Sequence, residues 1–447
     1  MTVRLLAATG SVGLAPTDPA RSFAPALSRQ PHAIVADAGS ADVGPGFLGS
    51  GRAYNNPEWE EAELGHLIEG ASRLGVPLIV GSCGVHGADA GVEAYSAMAE
   101  RAARRLGRRL RLALIFSEQP RAWLQAALAR GTIESPGGLP PLTAEAVDAS
   151  SRLVAAMGAE PIVAALAQGA DVVLAGRACD DALFAAPCLR RGINPASSFL
   201  AGKLLENASL VASPFVIREA VLAEVDDDGV TLEPMLADQR CTRASVAAQL
   251  MYERRTPLSQ PGPRGMLELG QVRIQELDAR RARISGASYC PTQPTLKVEG
   301  AGIAGQRSVA LVGIRDPGLI AALDTVAAEI TTEVETSGAQ VALHVFGRDA
   351  TMGAFEPTPA PGHEVALLIE TLAATQQQAS SACLLARRRL FASGYPGQKA
   401  TAGSVSGLGD ELWEAGAAYR WTVNHIVPVD DPSAQFVTEI REVGSGA

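Results

Sequence analysis

Short apolar runs alternate with amphipathic stretches along the first half of the chain. Residues 3–8, 33–36 and 77–80 are apolar runs that end in Thr9-Gly10-Ser11-Val12-Gly13, Asp37-Ala38-Gly39-Ser40 and Gly81-Ser82-Cys83-Gly84. Such runs, closed by Gly and small polar residues, read as strands buried on both faces. Residues 58–74 and 91–106 repeat apolar positions at helical spacing. A strand at 110–116, helices at 120–129 and 144–157, and a strand at 171–174 continue the alternation. The pattern predicts an α/β fold: a Rossmann-like, mostly parallel N-terminal sheet with helices on both faces.

The second half has a different rhythm. Residues 221–233 read as a hairpin around Asp227-Asp228-Gly229. Strands follow at 272–276, 282–285, 295–299 and 306–312, then a helix at 317–335 and strands at 340–346 and 364–371. A helix at 376–391 and an alternating strand at 419–425 complete the series. This is an α+β C-terminal region. The expected domains are 1–220 and 221–447.

At 447 residues the chain is longer than a single core supports, so more than one domain is expected. With 47% hydrophobic and 19% charged residues it is globular rather than disordered. The net charge is −10, and the only basic run, residues 101–111, lies on a predicted helix face, so no nucleic-acid partner is expected. No apolar stretch is long enough for a membrane span, and the N-terminus reads as a first strand rather than a signal peptide. The six cysteines are scattered without a CxxC pair, which fits reduced thiols in a cytoplasmic protein and argues against a cysteine-built zinc site.

Charged and polar residues gather where strands end, and in a parallel sheet those ends share one edge. The segment Gly176-Arg177-Ala178-Cys179-Asp180-Asp181 directly follows an apolar strand. Arg177, and Arg348 in the second half, are the best candidates to hold an anion by a planar fork. Asp181 either joins the site or closes its loop against Arg177. Asp37 and Asp42 fit Mg²⁺ ligation, hydroxyl positioning or a helix cap. Ser40 and Ser82 can donate to a substrate. His86, in a Gly-rich turn, fits a general base or a surface histidine. His344, in mid-strand, fits a proton-transfer group or a satisfied structural histidine. Lys399, in a Gly-rich loop, can hold a carboxylate. Cys83 at a strand end is a weaker nucleophile candidate, since nothing supplies a basic partner. Gly10-x-x-Gly13 lacks the rest of a dinucleotide fingerprint, and neither a P-loop nor a GxSxG elbow is present, so neither NAD nor ATP is expected.

Several stretches together carry a family resemblance. They are residues 37–51 (DAGSADVGPGFLGSG), Met157-Gly-Ala-Glu-Pro161, Gly176-Arg-Ala-Cys-Asp-Asp-Ala-Leu-Phe184 and Arg315-Asp-Pro317. Gly347-Arg-Asp349, Tyr395-Pro-Gly397 with Ala400-Thr-Ala-Gly403, and Asn424-His425 complete the set. In this order they resemble the acyclic terpene utilisation (AtuA-like) family. The resemblance implies an α/β N-terminal region and a role in carboxylic-acid catabolism, on branched, unsaturated acids. It also implies a companion, a small ferredoxin-like domain that is fused in some relatives and a separate protein in others. That domain is expected to be absent from this chain. The chain departs from the pattern at Ala402-Gly-Ser-Val-Ser-Gly-Leu-Gly-Asp410, and Gln398-Lys399 stands where an Arg is expected.

These readings combine into one expectation: a hydratase- or dehydratase-type lyase acting on a small branched or unsaturated carboxylate or its CoA thioester. Asp37, His86 or His344 would move the proton. Ser40, Asp42, Ser82, Arg177, Asp181, Arg348 and Lys399 would bind the substrate. The alternatives are a metal-assisted hydrolase with Asp37, Asp42 and Asp181 around Mg²⁺, and a non-catalytic scaffold needing a small partner protein. A homo-oligomer or a small ferredoxin-like subunit is the expected partner.

Overall fold

Residues 3–9 form a central strand because both of their faces are apolar, and six of the seven are buried. The computed structural model describes residues 1–16, 18–358, 360–399, 404–407 and 410–444. The chain divides into two compact units, residues 1–302 with 421–447, and residues 303–420.

In chain order the first unit begins with β1 (Val3–Thr9), α1 (Phe23–Leu27), β2 (Ala33–Asp37), α2 (Pro45–Ser50), α3 (Pro57–Leu74), β3 (Leu78–Gly81), α4 (Asp89–Leu106) and β4 (Leu110–Ile115). It continues with α5 (Arg121–Ala129), α6 (Ala144–Asp148), β5 (Arg152–Ala155), α7 (Glu160–Ala167), β6 (Val172–Ala175), α8 (Asp180–Arg190) and α9 (Pro195–Leu205). Then come β7 (Val221–Asp226), β8 (Gly229–Pro234), α10 (Arg243–Met251), β9 (Ser259–Gly262), β10 (Gly265–Glu268), β11 (Arg273–Glu276), β12 (Ala282–Ser285) and β13 (Ser288–Pro291). The chain passes to the second unit in β14 (Thr295–Ile314). There it forms α11 (Pro317–Thr336), β15 (Gln340–Phe346), β16 (Val365–Ala373), α12 (Gln376–Ala392) and β17 (Val405–Gly407). It returns through β18 (Trp413–Pro428) to β19 (Thr438–Val443).

The main sheet has ten strands in the order β11-β12-β8-β7-β1-β2-β3-β6-β4-β19. Only the neighbours β1-β2-β3-β6-β4 run parallel. The expected mostly parallel sheet is therefore a mixed one. Its antiparallel arm has a local cause: the Asp227-Asp228-Gly229 turn folds β8 back on β7, and β7 pairs antiparallel with β1. At the far edge β19 adds antiparallel to β4. The change of character near residue 220 is where the chain enters this arm.

Helices cover both faces. On alternate positions Leu5, Ala7, Val35 and Ile79 point into one core with Ile162, Leu183 and Leu204 of α7, α8 and α9. Leu6, Ala8, Ile34 and Val80 point into the other with Leu64, Ile68, Tyr95 and Ala99 of α3 and α4. This is the period-2 pattern of a sheet buried on both sides. The predicted helix at 144–157 is corrected: α6 stops at Asp148, and residues 152–155 pair as a strand with residues 298–301. Ser150 Oγ turns back onto the Ala146 carbonyl at 3.0 Å, a bond that competes with helix continuation.

In the second unit β15, β16, β14 and β17 form an antiparallel sheet. Leu323, Ile330, Ala382 and Leu390 of α11 and α12 pack on Val312, Ile314, Leu367 and Ile369 of one face. Asp316 caps α11 by accepting from the Gly318 and Leu319 N–H groups, and Thr375 and Gln378 form a capping box at α12. Among the described residues no helix is long and apolar enough to cross a membrane.

Candidate functional site

Strands β2, β3 and β6 are neighbours in parallel register, so the loops after them open at one edge. The β3 loop is bent by four residues in the left-handed region: Ser82, Gly84, Val85 and Gly87, with φ of 48°, 75°, 74° and 67°. For β-branched Val85 this conformation costs about 1–2 kcal/mol. Hydrogen bonds from its neighbours hold the loop. Ser82 N–H donates to the Gly176 carbonyl at 3.0 Å, Cys83 N–H to the Ala175 carbonyl at 3.1 Å, and Ser40 N–H to the Val85 carbonyl at 3.2 Å. Gly39 and Ser82 touch so closely that a Cβ on Gly39 would collide with the Ser82 side chain.

Arg177 is fixed at both ends. Its backbone N–H reaches the Gly87 carbonyl and the Ser117 hydroxyl, each at 2.9 Å. Its side chain, 13% exposed, meets Glu299, 6% exposed, with Nε donating at 2.7 Å and Nη2 at 3.4 Å. Lys297 Nζ donates to the same carboxylate at 2.7 Å. Burial works to raise the pKa of Glu299, but Arg177 and Lys297 override it and hold it at about 2. Arg177 Nη1 makes no hydrogen bond among the described residues, and it lies beside Gly39.

Asp37, at the end of β2, is 4% exposed. Its Oδ1 has no hydrogen-bond partner among the described residues. Burial and the Asp180 charge push its pKa well above the usual carboxylate value, against the pull of Arg177. His86 is also buried, and its Nδ1 accepts from the Ala88 N–H at 2.9 Å. Burial and the Arg152 charge lower its pKa to about 4, so at neutral pH it is an uncharged ring with Nε2–H as its free donor.

A narrow recess lies beside Arg177, Glu299 and His86. Ser40, His86, Arg177 and Glu299 line one part, and Ala41, Val43, Phe47, Leu48, Val85 and Trp421 line the rest. Its free space is about 10 Å³, room for about one water. Behind Arg177 the first turn of α8 carries Asp180 and Asp181. Asp181 accepts from Gln260 Nε2 at 2.8 Å, and burial and Asp180 raise its pKa to about 7. Farther in, buried Lys203 pairs with Glu206 at 2.5 Å, and burial raises Glu206 to about 8.

The structure thus brings Ser40, His86 and Arg177 to the recess, while Asp37 and Ser82 are buried on the same strand ends and do not line it. Asp42 is exposed and turned back by its N–H to Ser40 Oγ, and Asp181 is buried and does not line the recess either. His344, Arg348 and Lys399 belong to the second unit. There His344 pairs with Glu370 at 3.1 Å, Arg348 pairs with Asp324 at 2.8 Å and Asp349 at 3.1 Å, and Lys399 is exposed. Residues 400–403, the end of the matching stretch and the start of the departing segment, and residues 408 and 409 of that segment lie outside the described residues. Lys297, Glu299, Phe47, Leu48 and Trp421 are not among the site residues that the sequence suggests. The alternation Lys297-x-Glu299 on a predicted strand was a signal, since it puts both charges on one face.

Three other readings also meet the geometry. Among the described residues no group of three or more His, Cys, Asp or Glu is placed to hold a metal ion. Cys83 is fully buried, and desolvation raises its thiol, which fits packing rather than nucleophilic attack. At the end of β1 a Cβ on Gly10 would lie 2.9 Å from the Asn207 backbone, so that glycine admits a neighbouring chain segment.

No curated protein and no solved structure matches the chain. The family model described as "Acyclic terpene utilisation family protein AtuA" matches residues 49–410, which leaves Asp37, Ser40 and Asp42 ahead of the matched span. With most of its length matched, the chain belongs to the acyclic terpene utilisation family.

Proposed function

We propose that the chain is a lyase of the hydratase or dehydratase type, acting on a small branched or unsaturated carboxylate or its CoA thioester. One observation carries the reading: a buried carboxyl of raised pKa, Asp37, has an unpartnered oxygen close to a guanidinium, Arg177, that keeps one nitrogen free. A desolvated, positioned carboxyl can serve as a proton-transfer group. The half-polar, half-apolar lining suits an acid with a hydrocarbon tail. Membership of a family named for the utilisation of acyclic terpenes agrees with a branched, unsaturated acid.

In the dehydration direction Arg177 holds the carboxylate or thioester oxygen of a β-hydroxy acid, and His86 Nε2–H donates to it. The ionised Asp37 takes the proton from Cα, and the C–H electron pair becomes the new double bond. The β-hydroxyl leaves, collects that same proton from Asp37 and departs as water. Hydration is the reverse. Negative charge developing on the carbonyl oxygen falls beside Arg177, where a fixed cation acts without reorganisation.

The test follows 3-hydroxy-3-methylbutanoate, 3-methylbut-2-enoate and their CoA esters in D₂O by NMR. Wild-type protein should exchange the Cα protons and interconvert one pair. Asp37→Asn should slow this about 10²- to 10⁴-fold, the usual contribution of a positioned acid–base group. Absence of exchange and conversion with all four compounds, or a full rate in Asp37→Asn, would remove the reading.

A further inference from the structure

The recess holds about one water, so a ligand needs one of its walls to move. One wall has hinges that would let it move. Val43, Gly44, Phe47 and Leu48 reach the recess from α2 and its approach. Left-handed glycines bracket this helix, Gly44 at φ 82° and Gly51 at φ 71°. No atom lies within 4 Å of a Cβ built on Gly44 or Gly46, so the N-terminal end is unobstructed.

The C-terminal end is held from outside. Arg152, the first residue of β5, donates Nη1 to the Gly49 carbonyl at 2.9 Å and to the Leu48 carbonyl at 3.5 Å. Those carbonyls end a helix and lack intrahelical partners, so a guanidinium there satisfies them and meets the negative end of the helix. Gly51 lets the fork come close: a Cβ there would lie 2.7 Å from Arg152 Cζ. Glu118 steadies Arg152 from the other side at 3.7 Å and accepts from the Asp89 N–H at 3.1 Å. Leu48 is the apolar plug, 3% exposed against Ala88, Val154 and Ala301.

We infer that α2 is a gate over the recess, hinged at Gly44 and Gly51, and that Arg152 is the positioning residue that latches it shut. This rests on reading the recess as the ligand site, but its test needs no turnover and stands or falls apart from the lyase assignment. Arg152 acts through the α2 carbonyls and touches no reacting atom.

The experiment compares full-length wild type, Arg152→Gln and Arg152→Lys by hydrogen exchange with mass spectrometry, and by diethyl pyrocarbonate labelling of His86 beneath the gate. In Arg152→Gln, exchange across residues 43–51 should accelerate about tenfold or more, because a charged hydrogen bond to two carbonyls is lost. Labelling of His86 should rise by a similar factor, while exchange in β1 and labelling of His363 stay at wild-type rates. Arg152→Lys, which keeps the charge and loses the fork, should fall between. Unchanged exchange and labelling in Arg152→Gln would overturn the gate. Faster exchange with His86 still protected would also overturn it, since α2 would then fray without uncovering the recess. Should Arg152→Gln not fold, the Arg152→Lys comparison decides by the same two readouts.

Discussion

Arg177 and Glu299, 122 residues apart in sequence, meet in a two-point ion pair with Nε–Oε2 at 2.7 Å, buried at both ends. The pair orients the guanidinium so that Nη1 turns toward Gly39. Glu299 is the anchor of this arrangement, because Arg177 and Lys297 both bind it.

Removing that anchor should be costly. Glu299→Gln leaves a buried guanidinium without its counter-charge, and one-sided loss of a buried pair costs about 3–5 kcal/mol. Urea denaturation at neutral pH should show a loss in this range. A loss under about 1 kcal/mol, the size typical of an exposed pair, would mean that solvent reaches Arg177.

Asp37→Asn should move stability the other way. The Asp37 carboxyl is buried with its pKa raised, so its ionised form is destabilised in the fold. A neutral amide of the same shape avoids that cost, and the variant should be as stable as wild type or up to about 2 kcal/mol more stable, within the range of surface-to-core polar effects. Thermal melts at pH 8 would check this. Marked destabilisation would mean that Asp37 holds the loop rather than serving chemistry.

Much of this site was legible because strand ends of a parallel sheet share an edge whatever lies between them. Asp37, Ser40, Ser82, His86 and Arg177 all follow apolar runs, and that rule alone brought them together. Lys297, Glu299 and Trp421 escaped it because they arrive on strands from far along the chain, where only pairing in space supplies the register. His344, in mid-strand, and Arg348, just past the strand end, read as site residues from residue type alone. Their charges are met instead by Glu370, Asp324 and Asp349. The central strands were plain from apolar runs, but the antiparallel arm was not. The Asp227-Asp228-Gly229 hairpin was visible, while its pairing to β1 was a tertiary choice. Residues 152–155 show the same limit: their helical spacing yielded to hydrogen bonds offered by residues 298–301.

His86 and Glu299 should make stability depend on pH in two separate windows. The folded pKa of His86, about 4, lies below its unfolded value of 6.5. Below pH 6.5 the unfolded chain takes up a proton that the fold refuses, so the His86 contribution to stability falls as pH drops from 6.5 toward 4. The difference of about 2.5 units corresponds to about 3 kcal/mol. Glu299, held at about 2 against an ordinary 4.5, contributes stability that is present above 4.5 and lost as pH falls toward 2. His86→Gln should flatten the slope in the first window and leave the second. Equilibrium unfolding at half-unit pH intervals would show it, and an unaltered slope between pH 6.5 and 4 would mean that His86 protonates freely in the fold.

Gly87 and Gly107 separate two costs that a glycine can hide. Both are left-handed, at φ 67° and 62°. A Cβ on Gly107 meets no atom within 4 Å, whereas one on Gly87 would collide with the backbone of Arg177 and lie 2.9 Å from its Cβ. Gly107→Ala should therefore cost only the conformational penalty, about 1–2 kcal/mol. Gly87→Ala adds an overpacking term of about 1–3 kcal/mol. It also pushes on the residue that the Gly87 carbonyl and Ser117 hydroxyl hold in place. The difference between the two variants in urea denaturation measures that close approach. If the site is used as proposed, Gly87→Ala should also weaken carboxylate binding at Arg177, while Gly107→Ala, at the far end of α4, leaves it intact. Equal losses of stability in the two variants would mean that the β3 loop shifts to accommodate a methyl group, and that Arg177 is not held as tightly as its two backbone hydrogen bonds require.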